Sequence, residues 1–205
     1  MAMRPLTGDS PISNDGENVI TTLQQTRRFL GEVAKLLQTA DAAMEDRSWS
    51  TLGSQAVTTS STVNNADEWL PQFAFRYYEN EEQRHLLPFI GVLFDYYDEE
   101  IKLKRLQEPL LTAGWYDYGP GGEREDYILW NAVIHVYVAG WKADGKWHQS
   151  DPRKIFPKSW SPTRTAVRCQ SLALPLMSFA SAEDLTQRVV EPLLEDIRSF
   201  PGKAK

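Results

Sequence analysis

The sequence predicts an α+β fold: a mostly antiparallel sheet of about five or six strands, packed by a long N-terminal helix and a C-terminal helix. Three observations predict it. A heptad-like apolar seam runs through the first quarter of the chain, several short β-type runs separated by turn residues fill the middle, and a capped helical pattern closes the sequence. A chain of 205 residues is long enough to bury a full core without disulfide or metal support.

Residues 1–16 carry Pro5, Gly8, Pro11, Asn14, Asp15 and Gly16, the composition of a flexible N-terminal tail. From Glu17 to about Trp49 the pattern is helical. Val19, Leu23, Thr26, Leu30, Val33, Leu37, Ala40 and Met44 recur at alternating spacings of four and three, and Ile20, Phe29 and Leu36 widen the stripe. A stripe of that width suits packing on a sheet; homodimerisation through the same helix is the alternative. Residues 50–66, rich in Ser, Thr and Asn, read as a long loop or a weak edge hairpin.

Gln72–Glu79 alternates Phe73, Phe75 and Tyr77 on one face. His85–Tyr97 is apolar on both faces, which marks a central strand. The polar turn Asn80–Arg84 joins the two as a hairpin. Residues 98–107 fit a short helix or a strand continuation, and a further strand is expected from Leu110 to Tyr118, ended by Gly119, Pro120, Gly121 and Gly122. Asn131–Lys142 is rich in β-formers, and the Asp144-Gly145 turn lets Lys146–His148 return as a hairpin. Pro152, Pro157 and Pro162 make residues 150–166 irregular. Arg168–Phe179 is the last strand. Ser181 and Asp184 resemble a capping box for a helix from Ala182 to about Phe200, which Pro192 should kink or divide. The expected organisation is a single domain over residues 17–200, with short tails at 1–16 and 201–205.

Composition narrows the function. No apolar run follows Arg4, so no ordinary signal peptide is expected, and no stretch approaches membrane-spanning length; cytoplasm is the expected location. Cys169 is alone and lies in an apolar run. The net charge of −6 is uneven: residues 1–138 carry 11 Lys/Arg against 21 Asp/Glu, whereas residues 139–168 carry 7 against 2. A basic segment in an acidic protein marks a surface for an anionic or acidic partner.

Phosphate-loop and nucleophile-elbow motifs are absent, and His85, His135 and His148 have no metal-ligand spacing, so neither metal nor cofactor is expected. Asp95, Asp98, Glu99, Glu100 and Lys102 contain an E-x-K triplet of the kind metal-dependent nucleases use. It requires a further carboxylate, for which Glu123, Glu125 and Asp126 are candidates. The strongest candidate surface is the aromatic and basic segment, with Trp141, Trp147, Arg153, Lys154, Lys158, Trp160 and Arg164 as partner- or anion-binding residues. The expected role is a non-catalytic interaction protein: a regulatory subunit, an adaptor, or a chaperone-like or neutralising binder of another protein. A metal-dependent hydrolase or nuclease built on Asp95, Glu100 and Lys102, and a sensor of a small anionic ligand, are the alternatives. Nucleic acid is disfavoured by the acidic balance and the lack of reading motifs.

Overall fold

A computed structural model describes residues 13–53, 70–94, 106–119, 143–151 and 166–200. The chain divides into two compact units between Leu36 and Leu37. The first contributes the start of α1 (Ser13–Glu45), an uninterrupted helix that continues into the second unit.

Among the described residues, the second unit holds a six-stranded antiparallel sheet in the order β1-β2-β3-β4-β6-β5. Its strands are β1 (Ser50–Thr51), β2 (Phe73–Glu79), β3 (Leu86–Leu93), β4 (Leu110–Asp117), β5 (His148–Ser150) and β6 (Arg168–Pro175). β3 is central, as its two apolar faces require, and it shares that position with β4. All eight residues of each strand are buried. The expected β2–β3 hairpin forms through a 3-10 turn, Glu81–Gln83, capped by the Asn80 side chain, which accepts from the Glu82 N–H. β6 stops at Pro175, short of Phe179, and Leu176–Ser178 turns away as a 3-10 segment. The expected strand at 131–142 and the ambiguous segment at 98–107 lie wholly or mostly outside the described residues.

One face of the sheet is aromatic. Phe73, Phe75 and Tyr77 of β2, Leu87, Phe89 and Leu93 of β3, Leu110 and Tyr116 of β4, and Cys169 of β6 form one buried cluster. Two cross-strand glycines shape it: Phe75 pairs with Gly91 and Phe89 with Gly114. Each ring lies where a Cβ on its partner glycine would sit, so the aromatics tile the pleat instead of standing off it.

Helices hold the other face. Asp41, on the last turns of α1, accepts from Arg76 Nε at 3.0 Å and from the Tyr78 hydroxyl at 3.0 Å, both on β2. Leu37, Ala40, Ala43 and Met44 of the same turns are buried. The terminal helix begins as α2 (Ala182–Leu185), passes through a π turn at Thr186–Val190 and ends as α3 (Glu191–Ser199). The capping box is complete: Ser181 Oγ accepts from the Asp184 N–H, and Asp184 accepts from the Ala180 N–H. Pro192 accounts for the division. It lacks an N–H and crowds the preceding turn, and the wider π turn just before it relieves that crowding. The π turn also resets the buried stripe, so that Val190 and Leu194 join Leu185, Val189, Leu193 and Ile197 in the core.

α1 ends at Glu45 rather than Trp49 because its C-terminus folds into a Schellman motif. The Trp49 N–H reaches the Met44 carbonyl and the Ser48 N–H reaches that of Glu45, both at 3.0 Å. Trp49 and Met44, the apolar pair of that motif, are both buried. Ser48 occupies the left-handed position at φ 64°, where glycine is the unstrained residue.

Two predictions follow from these contacts. Ser48→Gly should stabilise the protein by about 0.5–1 kcal/mol, the left-handed strain relieved less the added freedom of the unfolded chain, read as a raised denaturation midpoint. Gly114→Ala should destabilise by more than the typical ~1–3 kcal/mol of overpacking, because the new methyl meets the Gln170 carbonyl as well as the Phe89 ring. Gly91→Ala should destabilise as well, because its methyl meets the Ala74 carbonyl as well as the Phe75 ring; a wild-type midpoint in either variant would contradict this account.

Candidate functional site

Of the aromatic and basic segment, Ala143–Asp151 is described. Gly145, at φ 66°, makes the expected turn and donates its N–H to the Ala173 carbonyl at 3.1 Å, fastening the turn to β6. Asp144 accepts from the Lys146 N–H at 3.0 Å and lies 3.1 Å from His148 Nε2. The His148 contact, then the Lys146 N–H, holds the Asp144 carboxyl below its ordinary range. The chain then enters β5, which ends the strand order among the described residues and pairs with β6. Trp147 precedes β5 and is only half-buried.

The other predicted binding residues, Trp141, Arg153, Lys154, Lys158, Trp160 and Arg164, lie outside the described residues. Arg168, the last cation of the segment, opens β6 and places its guanidinium 4.6 Å from the centre of the Phe200 ring, a packing role at the end of α3. Asp95, Glu100, Lys102, Glu123 and Asp126 also fall outside the described residues. Among the described residues no group of three or more His, Cys, Asp or Glu side chains is placed to hold a metal ion, and no helix is long and apolar enough to cross a membrane.

A polar cluster inside the aromatic face was not legible in the sequence. Tyr77, Tyr116, Tyr118 and Cys169 come together there from β2, from β4 and its C-terminal end, and from β6. The Ser150 and Tyr116 hydroxyls sit against the Cys169 sulfur. Ser171, fully buried two residues along β6, has no hydrogen-bond partner for its hydroxyl among the described residues. Burial pushes the Cys169 thiol up to about 12, more than the neighbouring hydroxyls lower it. The same burial raises the Tyr77 and Tyr116 phenols. A thiol held protonated is no nucleophile at neutral pH, which assigns Cys169 to packing. The sequence signalled its members separately, Tyr77 in the alternating run of β2 and Cys169 in an apolar run, but not their meeting.

An open depression of about 750 Å³ lies where the α1 C-terminus meets the β2–β3 turn, lined by Ser48, Ser50, Glu79, Asn80, Glu81, Glu82 and Arg84. Its lining is acidic on balance, the opposite of the basic segment. Asn80 braces it by donating from Nδ2 to the Ser48 carbonyl at 2.9 Å.

Comparison with known proteins finds no family model, no curated relative and no solved structure that matches this chain.

The buried thiol and phenols fix an alkaline limit. Their raised folded-state values mean that the stability they contribute is complete below about pH 9, the ordinary thiol value, and is lost as pH rises toward about 12. A thermal midpoint followed through this range should fall steadily. A thiol-reactive dye should label Cys169 at pH 8 only after denaturant is added; prompt labelling of the native protein would contradict the burial.

Proposed function

We propose that this chain is a non-catalytic interaction protein whose aromatic and basic segment binds a partner protein with an acidic surface. The observation that carries the reading is the setting of Trp147, a half-buried indole at the approach to β5, which ends the strand order among the described residues, beside the exposed Lys146. An indole that keeps apolar surface in water is suited to anchor an interface, and flanking cations steer an acidic partner toward it. The charge distribution supports the same reading, since residues 139–168 concentrate cations in a chain of net charge −6. So does the use of the sheet interior: β3 and β4 are buried on both faces, and the Cys169 thiol is held protonated. These groups serve packing and leave the recognition surface to the edges.

The test is co-purification from the native host at low salt with identification of what is retained. One stoichiometric acidic protein is expected, with retention that weakens as salt rises. Replacing Lys158 and Trp160 together by Ala should leave the melting temperature unchanged and reduce affinity at least about tenfold. Undiminished binding, loss of folding in the double variant, or nucleic acid as the retained species would each defeat the proposal.

A further inference from the structure

The first unit carries an apolar ridge of its own. On the early turns of α1, Val19 and Ile20 are each 58% exposed and Leu23 is 49% exposed. Isolated exposed apolar residues are ordinary, but these three stand in phase. Val19 and Leu23 open the heptad seam that continues through Thr26 and Leu30, both only partly covered, and Ile20 flanks it. Later members of the seam, Leu37, Ala40 and Met44, are buried in the second unit.

We propose that a second copy of this chain covers this ridge, so that the protein self-associates through the beginning of α1. Two observations single out that occupant. The first is the period. Knobs-into-holes packing requires a partner helix with the same 3.5-residue repeat, and among the described helices α1 itself has one, whereas the buried positions Leu185, Val189, Leu193 and Ile197 of the terminal helix follow no heptad. The second is charge. Residues 17–36 carry three basic side chains (Arg27, Arg28, Lys35) against two acidic ones (Glu17, Glu32). In a chain of net charge −6 this stretch of α1 is close to neutral, and two copies can approach there without the repulsion their remaining surfaces impose. A strongly basic partner would be drawn to the acidic surfaces instead.

The area sets the strength. A stable interface buries roughly 800 Å² per partner, and three half-exposed side chains with their flanks supply only part of that. Thr26 adds a polar layer to the seam. The complex is therefore a weak one that dissociates on dilution, and its helical content rises on association because the open end of a helix frays until a partner covers it.

The experiment is sedimentation of the full chain from high to low micromolar concentration, with far-ultraviolet circular dichroism on the same samples. The wild-type chain should pass from dimer to monomer on dilution, losing helical signal as it does. The Val19→Glu/Leu23→Glu variant should keep the wild-type melting temperature at low concentration, because both positions are exposed, and should associate at least about tenfold more weakly. Met177→Glu, at a side chain of the second unit that is 75% exposed, should dimerise as the wild type does. A wild-type chain that is monomeric throughout, a dimer unaffected by the double substitution, a double variant that fails to fold, or a dimer lost in Met177→Glu would overturn the proposal. None of these results bears on the partner-binding test at residues 158 and 160.

Discussion

Two strands without a solvent face, β3 and β4, govern the rest of this fold. Every residue in them is buried, so the sheet must extend on both sides and be covered above and below. β2 and β6 meet the first demand by pairing with β3 and β4 along most or all of their length. The helices meet the second on one face, and they do so with polar anchors as well as apolar contact. Asp41 receives Arg76 and Tyr78 from β2. Asp196 receives the indole N–H of Trp115 from β4 at 2.7 Å. Each carboxylate is partly withdrawn from water, and such a group is tolerated only where donors replace the water it loses. At Asp196 burial raises the carboxyl, and the Trp115 and Gln170 contacts offset part of that rise. These pairings fix which helix turn lies over which strand, a directional constraint that apolar packing alone does not impose.

The opposite face solves a packing problem of its own. Rows of Phe and Tyr on adjacent strands would collide if every neighbour carried a Cβ. Placing Gly91 and Gly114 directly across from Phe75 and Phe89 gives the rings room to lie down. The rings then meet at tilted angles, with Phe75–Phe89 centres 5.8 Å apart and Phe89–Tyr116 centres 5.2 Å apart. That spacing is favourable for aromatic pairs. Toward β6 the row gives way to small and polar groups, Cys169 and Ser171, where hydroxyls and a thiol satisfy one another only incompletely.

How much of this was legible in the sequence follows from how local each signal is. β2, β3 and β4 were readable because period two and continuous apolarity are properties of seven or eight adjacent residues. The end of α1 was misplaced by four residues because Ser48 stands in a left-handed position that usually announces itself as glycine. The described pairing of β5 with β6 was not readable, because the Asp144-Gly145 turn indicates only a reversal of the chain, whereas the Gly145 N–H finds its acceptor on Ala173. The division of the terminal helix was readable from Pro192, but its π form was not. Of the candidate site, Trp147 has a described place just before β5; its companions were chosen on composition, which states no geometry.

The seam of α1 shows the same limit from the other side. A spacing of four and three records that a helix has one apolar face, and it is silent on what covers that face. In this chain one unbroken periodicity runs from Val19 to Met44, yet its members differ in environment: Met44 and Ala40 are fully buried, while Val19 is more than half exposed. Asp41, on the flank of that seam, is the point where the helix commits to the sheet through Arg76 and Tyr78. Glu17, Arg27 and Arg28 are charges at the earlier turns, where the apolar ridge remains open. The change of use along the helix is therefore encoded less in its apolar residues, which hardly vary, than in the polar residues beside them. A carboxylate aimed at an arginine on a strand belongs to an intramolecular contact. Mixed charges beside an exposed ridge leave the protein a near-neutral surface on which a copy of itself can settle.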